Sequence, residues 1–296
     1  MENNNTQLNT PIALEKAMLL LYGKELSIDP IIGIGYLNKF AHALETGGKA
    51  FEKSNRIEFL FPDQTRVIET GNLANMTDAR LESLQKGTIV KLYLNDYMAV
   101  QGDLCTMGVQ ELADNLLSYK ENTNVSGAIL EVNSGGGEAM AGQIMYNAIG
   151  DFKKPVVAYV HNAGSSAYLS ILKAKEIVAS GQLSRLGSIG AFVSFDKKFI
   201  ATYKDRFDEI YSDLSDDKNS AIRSYVETGD KSGIKASLNE TVLAFQNLVL
   251  ENRSIKKQDS TLKGGMFQAS DAKARGLVDI IGTEELAIKR LKNYFK

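Results

Sequence analysis

The chain has 296 residues, of which 44% are apolar and 24% are charged, a composition typical of globular proteins with one or two domains. Its 34 basic and 36 acidic residues leave a formal net charge of -2, so no basic excess is available to neutralise a nucleic-acid backbone. The single cysteine, Cys105, excludes an intramolecular disulfide. No apolar run approaches the roughly 18 residues of a membrane-spanning helix, and the chain does not start like a secretory leader, so we expect a cytoplasmic protein.

The first 85 residues carry no motif that points to chemistry. Their pattern predicts short helices over Pro11–Leu21 and Lys39–Lys53, followed by a strand over Arg56–Phe61 that Pro62 closes. We therefore treat residues 1–85 as an amino-terminal segment or arm whose role the sequence does not assign.

Residues 86–296 alternate between strand and helix patterns. Short branched and apolar runs predict strands at Thr88–Leu94, Ala128–Val132, Pro155–Val160, Ile177–Ala179, Ala191–Phe195 and Glu209–Ser212. Helical spacing of apolar residues predicts helices around Val109–Leu116, around Met140–Ala148, from near Ser165, over Leu238–Leu250 and over Thr283–Tyr294. Strands separated by helices of this length form right-handed crossovers, so we predict an α/β domain with a mainly parallel sheet flanked by helices.

Two loops after predicted strands contain candidate catalytic groups, because the carboxyl ends of parallel strands build the sites of such sheets. The first contains Ser134 and the three glycines Gly135, Gly136 and Gly137. Glycines let a ligand approach main-chain N–H groups closely, and such groups at a helix start stabilise an anionic oxygen. The alternative is a tight strand-to-helix turn without a ligand.

The second loop places Ser165 among small residues where a strand passes into a helix. A serine in such a turn is exposed as a nucleophile, and the N–H of Ser166 would then face the oxygen of a tetrahedral intermediate. The competing interpretation, favoured when the serine is taken alone, is a helix cap. Cys105 is a rival nucleophile, for which a packing role is the simpler interpretation.

A serine nucleophile needs a base, and the residues leave its identity open. His42 lies in a predicted amino-terminal helix, and His161 reaches Ser165 awkwardly from the preceding strand. A desolvated lysine is the other possibility, and Lys218 stands out weakly from the surface lysines.

In their order along residues 88–282, several blocks resemble the peptidase family of signal peptide peptidase A (protease IV) and the phage capsid-assembly proteases. The blocks are Asn133–Gly137, Lys154–Val156, Gly164–Tyr168, Ile177–Ala179, Gly187–Gly190, Gly265–Phe267 and Gly276–Asp279. The resemblance implies a Clp protease/crotonase-like fold of repeated ββα units. It implies a serine endopeptidase in which Ser165 is the nucleophile, Lys218 the general base and Ser188 the residue that orients the lysine. It also implies an oxyanion hole built from the N–H groups of Gly136, Gly137 and Ser166.

The same resemblance implies a homo-oligomer whose Ser and Lys come from neighbouring subunits, and a peptide or unfolded protein as substrate. Phage capsid or scaffold proteins are candidate partners, which adds the phage procapsid to the expected locations. We expect no cofactor, no metal, no nucleic acid and no membrane span. Three positions depart from the family pattern, where Gly135 replaces a proline and Ser166 and Ala167 replace two glycines. The replacements at Ser166 and Ala167 are the main support for the alternative of a catalytically degenerate scaffold or assembly protein. A crotonase-type acyl-CoA enzyme would give no reason for Ser165, Ser188 and Lys218 to occur together.

Overall fold

The structure, a computed structural model, describes residues 26–28, 56–70, 83–102, 108–195, 200–202, 208–256 and 258–295. Its strands are β1 Leu26–Ile28, β2 Arg56–Leu60, β3 Arg66–Thr70, β4 Thr88–Met98, β5 Val125–Glu138, β6 Val156–Gly164, β7 Glu176–Ala179, β8 Arg185–Gly187, β9 Met266–Gln268 and β10 Ile280–Ile281. Its helices are α1 Val109–Ser118, α2 Ala139–Asp151, α3 Ser166–Ser170, α4 Ser220–Thr228, α5 Ser232–Asn252, α6 Gln258–Thr261, α7 Ala269–Arg275 and α8 Glu284–Lys292.

The main sheet has the strand order β10-β7-β6-β5-β4-β2-β3. Strands β4, β5, β6, β7 and β10 run parallel, while β2 and β3 add an antiparallel hairpin at one edge. The predicted mixed α/β fold with a mainly parallel sheet flanked by helices is confirmed. The outer half of β6 leaves β7 and pairs with β8, which in turn pairs with β9.

Alternate residues of the central strands build two apolar layers, because successive side chains of a strand point to opposite faces. On one face Val90 and Leu130 pack with helices α1, α2 and α3 in the larger core. On the other face Ile89 and Ile129 pack with Leu291 of α8. Burial on both faces is typical of parallel strands and explains why their sequences read as continuous apolar runs.

The predicted strands and helices are confirmed for most of the alternating region, with three exceptions. Ala191–Phe195 holds only an isolated bridge, and Glu209–Ser212 has no regular structure. Both strand predictions are wrong. The glycines Gly135–Gly137 belong to β5 itself and not to a turn, since helix α2 begins only at Ala139.

Part of the amino-terminal segment joins the sheet. The predicted strand at Arg56–Phe61 is confirmed as β2, and β2 pairs with β4. The helices predicted over Pro11–Leu21 and Lys39–Lys53 lie outside the described residues, as do His42 and Cys105. The division at residues 85 and 86 stays a prediction. Within the described ranges, none of the helices is both long and apolar enough to cross a membrane.

Candidate active site

Ser165 lies between the last residue of β6 and the first residue of α3. Its backbone has φ 56° and ψ -123°, a conformation that residues with a Cβ rarely adopt and that costs of the order of 1–3 kcal/mol. The preceding Gly164 has no room for a side chain, because a Cβ there would lie 2.9 Å from the carbonyl oxygen of Gly135. Sheet packing therefore requires glycine directly before the strained residue Ser165, and strain of this kind is concentrated at functional positions.

The hydroxyl of Ser165 does not cap the helix that follows it. The Ser165 carbonyl oxygen accepts the N–H groups of Tyr168 at 2.9 Å and Leu169 at 3.0 Å, whereas its side chain makes no capping hydrogen bond. Instead, Ser165 Oγ donates to the carbonyl oxygen of Gly190 at 3.3 Å. This geometry removes the structural role that the sequence offered as the competing interpretation.

Ser188 is brought next to Ser165 by the pairing of β8 with β6. Gly187 lies opposite Gly164 in this pairing, and the N–H of Ser165 donates to the carbonyl oxygen of Gly187 at 2.8 Å. Ser188 also has a positive φ, of 52°, and its N–H donates to Gly265 at 2.7 Å. Two serines with positive φ therefore directly follow the paired strands β6 and β8.

The glycine segment of β5 runs beside this pair. A Cβ on Gly137 would lie 2.1 Å from the carbonyl oxygen of Met98 in β4, so only glycine allows the strands to approach this closely. The N–H of Gly136 donates to Ser134 Oγ at 3.1 Å. Of the three N–H groups predicted for an oxyanion hole, that of Gly136 is thus engaged within β5 itself, and those of Gly137 and Ser166 are the better candidates.

The side chain of Ser166, where the family pattern has glycine, is accommodated by helix α2. A Cβ on Gly142 of α2 would lie 2.7 Å from the carbonyl oxygen of Ser166 and 2.9 Å from its Cβ. The buried Ser166 hydroxyl donates to Met98 Sδ at 3.6 Å. The absence of a side chain at Gly142 on the facing helix therefore leaves room for Ser166.

Lys218 lies in an exposed turn, where its N–H donates to the carbonyl oxygen of Ser215 at 3.0 Å. No hydrogen bond joins its amine to Ser165 or Ser188 within the part of the chain that the structure describes. The preceding residues Ile210 and Leu214 are 92% and 95% exposed, and α4 just after Lys218 has no buried residue. The region that carries the predicted base is therefore not packed into the core of its own chain.

His161 is directed to other partners. Its Nδ1 lies 2.8 Å from Ser180 Oγ, and its Nε2 lies 3.3 Å from Glu131 Oε1. Because both ring nitrogens are engaged in this way, His161 does not act as the base for Ser165 in this conformation. No cluster of three or more His, Cys, Asp or Glu side chains suited to a metal occurs among the described residues.

A cavity of about 460 Å³ opens beside the serine turn. Its wall includes Ser166 and Leu169 of α3, Gly190, and Phe245 and Leu248 of α5. The sequence predicted the helix that contains Phe245 but gave no signal that this helix closes a cavity, because the contact depends on how distant elements pack.

Residues Gly276–Asp279 contact both helix α3, which follows Ser165, and strand β7. Tyr168 of α3 is fully buried, burial raises the pKa of its phenol, and the hydroxyl donates to the carbonyl oxygen of Leu277 at 3.1 Å. Asp279 accepts the N–H of Ile177 at 2.7 Å and pairs with Arg253 at 2.8 Å. These contacts fix α3, and with it Ser165, relative to β7.

Sequence comparison relates the chain to a known family. The profile of peptidase family S49 matches residues 148–296, half of the chain. The protein MJ0651 of Methanocaldococcus jannaschii, a protease by provisional name, is 31% identical over 190 residues, which are 60% of this chain and 59% of that protein. The chloroplastic serine protease SPPA of Arabidopsis thaliana is 27% identical over 211 residues, 64% of this chain and 29% of that protein. The chain thus matches less than two thirds of the length of either relative.

Among solved structures, a ClpP1 variant from Listeria monocytogenes matches with a TM-score of 0.40 at 13% identity, over 66% of this chain and 94% of that one. The family assignment depends on the sequence matches alone. This chain belongs to peptidase family S49.

Proposed function

We propose that the chain is a serine endopeptidase in which Ser165 is the nucleophile and Lys218 the general base. The observation that carries the proposal is the strained turn at Ser165, whose hydroxyl is not used as a helix cap. Strand β6, which ends at this turn, pairs with β8, which leads to Ser188, and with β5, which contains the glycine segment. Membership of a peptidase family supports the same reaction class.

In the proposed mechanism the unprotonated amine of Lys218 takes the proton of Ser165 Oγ as this oxygen attacks the peptide carbonyl carbon. The N–H groups of Gly137 and Ser166 stabilise the oxyanion of the tetrahedral intermediate. The lysine then gives its proton to the leaving amine, and water hydrolyses the acyl-enzyme ester. Ser188, which adjoins Ser165, orients the lysine amine.

Lys218 is supplied by a neighbouring copy of the chain in this proposal. Its turn is exposed and follows the large apolar side chains of Ile210 and Leu214, which are almost fully exposed in the single chain. Exposed apolar side chains of this kind are typical of surfaces that another protein covers. Contact with a second copy would also exclude water around the amine, and exclusion of water favours the unprotonated form that a base requires.

The cavity beside Ser165 would bind an apolar side chain of a peptide or unfolded protein. This side chain would lie next to the bond that is cleaved. Leu169, Phe245 and Leu248 give it an apolar wall that a hydrocarbon side chain would fill. Capsid or scaffold proteins of a phage remain one prediction for the natural substrate.

Hydrolysis of casein by the wild type, Ser165→Ala and Ser170→Ala tests the proposal. Ser170 is the matched control, because it is a buried serine of the same turn-helix unit whose hydroxyl, among the described residues, donates to the carbonyl oxygen of Ala167 at 2.8 Å. We expect Ser165→Ala to lose at least about a thousandfold in rate and Ser170→Ala to stay active. The wild-type rate should rise from about pH 6 toward about pH 10, as a lysine base requires. Equal activity of Ser165→Ala and wild type would exclude Ser165 as nucleophile, and silence of every protein on varied substrates would favour a non-catalytic assembly protein.

A further inference from the structure

The short strand β1 occupies one edge of the glycine segment in β5. It runs antiparallel to β5, with Leu26 opposite Glu138, Ser27 opposite Gly137 and Ile28 opposite Gly136. The other edge of the same segment is taken by β4. Strand β6 pairs with β5 only as far as Ser134, so β1 fills the edge that β6 leaves open.

This open edge borders the candidate active site. Gly137 is a candidate oxyanion donor, and Glu138 lines the same cavity as Ser166 and Gly190, whose carbonyl oxygen accepts the Ser165 hydroxyl. Extended peptides bind to free strand edges through main-chain hydrogen bonds. A peptide paired with the glycine segment would therefore pass beside Ser165, in the position that Leu26–Ile28 already holds.

The free edge of β5 would bind the main chain of a peptide. It offers few side chains that could select one peptide sequence over another. Gly136 and Gly137 have no side chains, and Gly136 has a φ of 103°. An internal segment and an external peptide would thus compete for the same backbone groups. Consistent with a closed site, Ser165 and Ser166 are each only 1% exposed in the folded chain.

From this geometry we propose that Leu26–Ile28 is an internal pseudosubstrate, which occupies the peptide-binding edge of β5 and must leave before a substrate binds. The proposal rests on the peptidase function proposed above. Its consequence is that the apparent affinity for a peptide is reduced by the fraction of molecules in which β1 is docked. The amino-terminal segment would then set the activity of the site without contributing to its chemistry.

Proline substitutions in the full-length chain test this proposal. In an antiparallel pair, the hydrogen bonds to one neighbour fall on alternate residues. One variant, Ser27→Pro, and a second one, Leu26→Pro with Ile28→Pro, therefore cover both sets, and at least one of them must remove an N–H that β1 donates to β5. Ser27→Ala is the matched control, because it keeps the backbone N–H and changes only the side chain.

The first measurement is hydrolysis of a short unstructured peptide. We expect kcat/KM to increase about fivefold or more in at least one proline variant and to stay at the wild-type value in Ser27→Ala. Proline variants that cleave no faster than an active wild type would overturn the proposal.

The second measurement is amide hydrogen exchange at residues 136–138, made in the Ser165→Ala background so that it does not depend on catalysis. Displacement of β1 should speed exchange at this edge in the variant that loses its pairing. Unchanged exchange in both proline variants would overturn the docking of β1. Faster exchange together with a complete lack of peptide cleavage, in wild type and variants alike, would instead overturn the peptidase function and the pseudosubstrate role with it, while leaving the pairing of β1 established.

Discussion

Ser165 has a backbone conformation that glycine adopts freely and alanine does not. Relief of a strain of roughly 1–3 kcal/mol should outweigh the roughly 0.5–1 kcal/mol that glycine loses through its more flexible unfolded state. We therefore expect Ser165→Gly to have a free energy of unfolding about 1 kcal/mol higher than that of Ser165→Ala. Equilibrium unfolding in urea measures the difference, and neither variant is affected by self-cleavage.

The same pair of substitutions at Ser170 provides the control for this prediction. Ser170 is the last residue of α3 and has no positive φ, so glycine relieves no strain there and retains only its entropic cost of roughly 0.5–1 kcal/mol relative to alanine. The order of the two variants should thus reverse between the two positions. An alanine variant at Ser165 as stable as the glycine variant would contradict the strain at the turn.

The candidate site could be predicted from the sequence only in part. Spacing alone left Ser165 open between a nucleophile and a helix cap, because both occur where a strand passes into a helix. The resemblance selected Ser165, and the structure shows that its hydroxyl does not cap. The Gly136 N–H is engaged by Ser134, two residues earlier in the same strand. The fit of Ser166 against Gly142 depends on a contact between α3 and α2, so no local pattern could reveal it.

Local patterns predicted whole elements well where burial is periodic. In α1 the four residues expected on one face, Val109, Leu112, Ala113 and Leu116, are the four that are buried. The prediction failed at Glu209–Ser212, since a strand needs a neighbouring strand and Ile210 is 92% exposed. It also placed the glycines of β5 in a turn, because the reason for glycine there is the close approach of β4, which is distant in sequence.

Strand β4 and helix α8 are joined through a buried lysine. Lys91 Nζ lies 2.6 Å from Glu131 Oε2 and 2.6 Å from Glu284 Oε1, and its side chain is only 5% exposed. Partial burial pushes the pKa of Glu284 upward, but the hydrogen bond and charge of Lys91, helped by Arg66, outweigh it and hold this pKa below its ordinary value.

The lowered pKa of Glu284 predicts how stability depends on pH. Because the folded chain holds Glu284 ionised more firmly than the unfolded chain does, the contribution is present at neutral pH and is lost as the pH falls through the lowered pKa. We expect Glu284→Gln to unfold with about 1–2 kcal/mol less free energy near pH 7. The difference should shrink as the pH falls from about 5 toward about 3.

Urea unfolding of Glu284→Gln and Glu285→Gln across this pH range measures the effect. Both residues lie in the first turn of α8 and interact similarly with its dipole, but Glu285 is exposed. Glu285→Gln should therefore have the smaller effect. A difference for Glu284→Gln that stays constant or grows on acidification would contradict the assigned role of Lys91.

At the scale of the whole molecule, the exposed position of Lys218 is compatible with two arrangements of the active site. The site is formed either within one chain or between two neighbouring copies of the chain. If one chain supplies both Ser165 and Lys218, a protein that lacks either residue stays inactive in any mixture. If neighbouring copies supply them, a chain with only Ser165 and a chain with only Lys218 form a complete site where they meet in the correct order. Closed rings of identical subunits repeat such an interface around the assembly, so every site is shared in the same way.

Mixing Ser165→Ala with Lys218→Met distinguishes these arrangements. Each variant alone should be inactive, whereas an equimolar mixture that has exchanged subunits should recover up to about one quarter of the wild-type rate, because about one interface in four then joins an intact serine to an intact lysine. Mixing Ser165→Ala with the double variant that lacks both residues is the matched control and should stay silent. Recovery should fall on dilution, since it depends on association. An exchanged mixture without activity would place Ser165 and Lys218 in the same chain and would require the segment around Ile210 and Leu214 to close onto its own site.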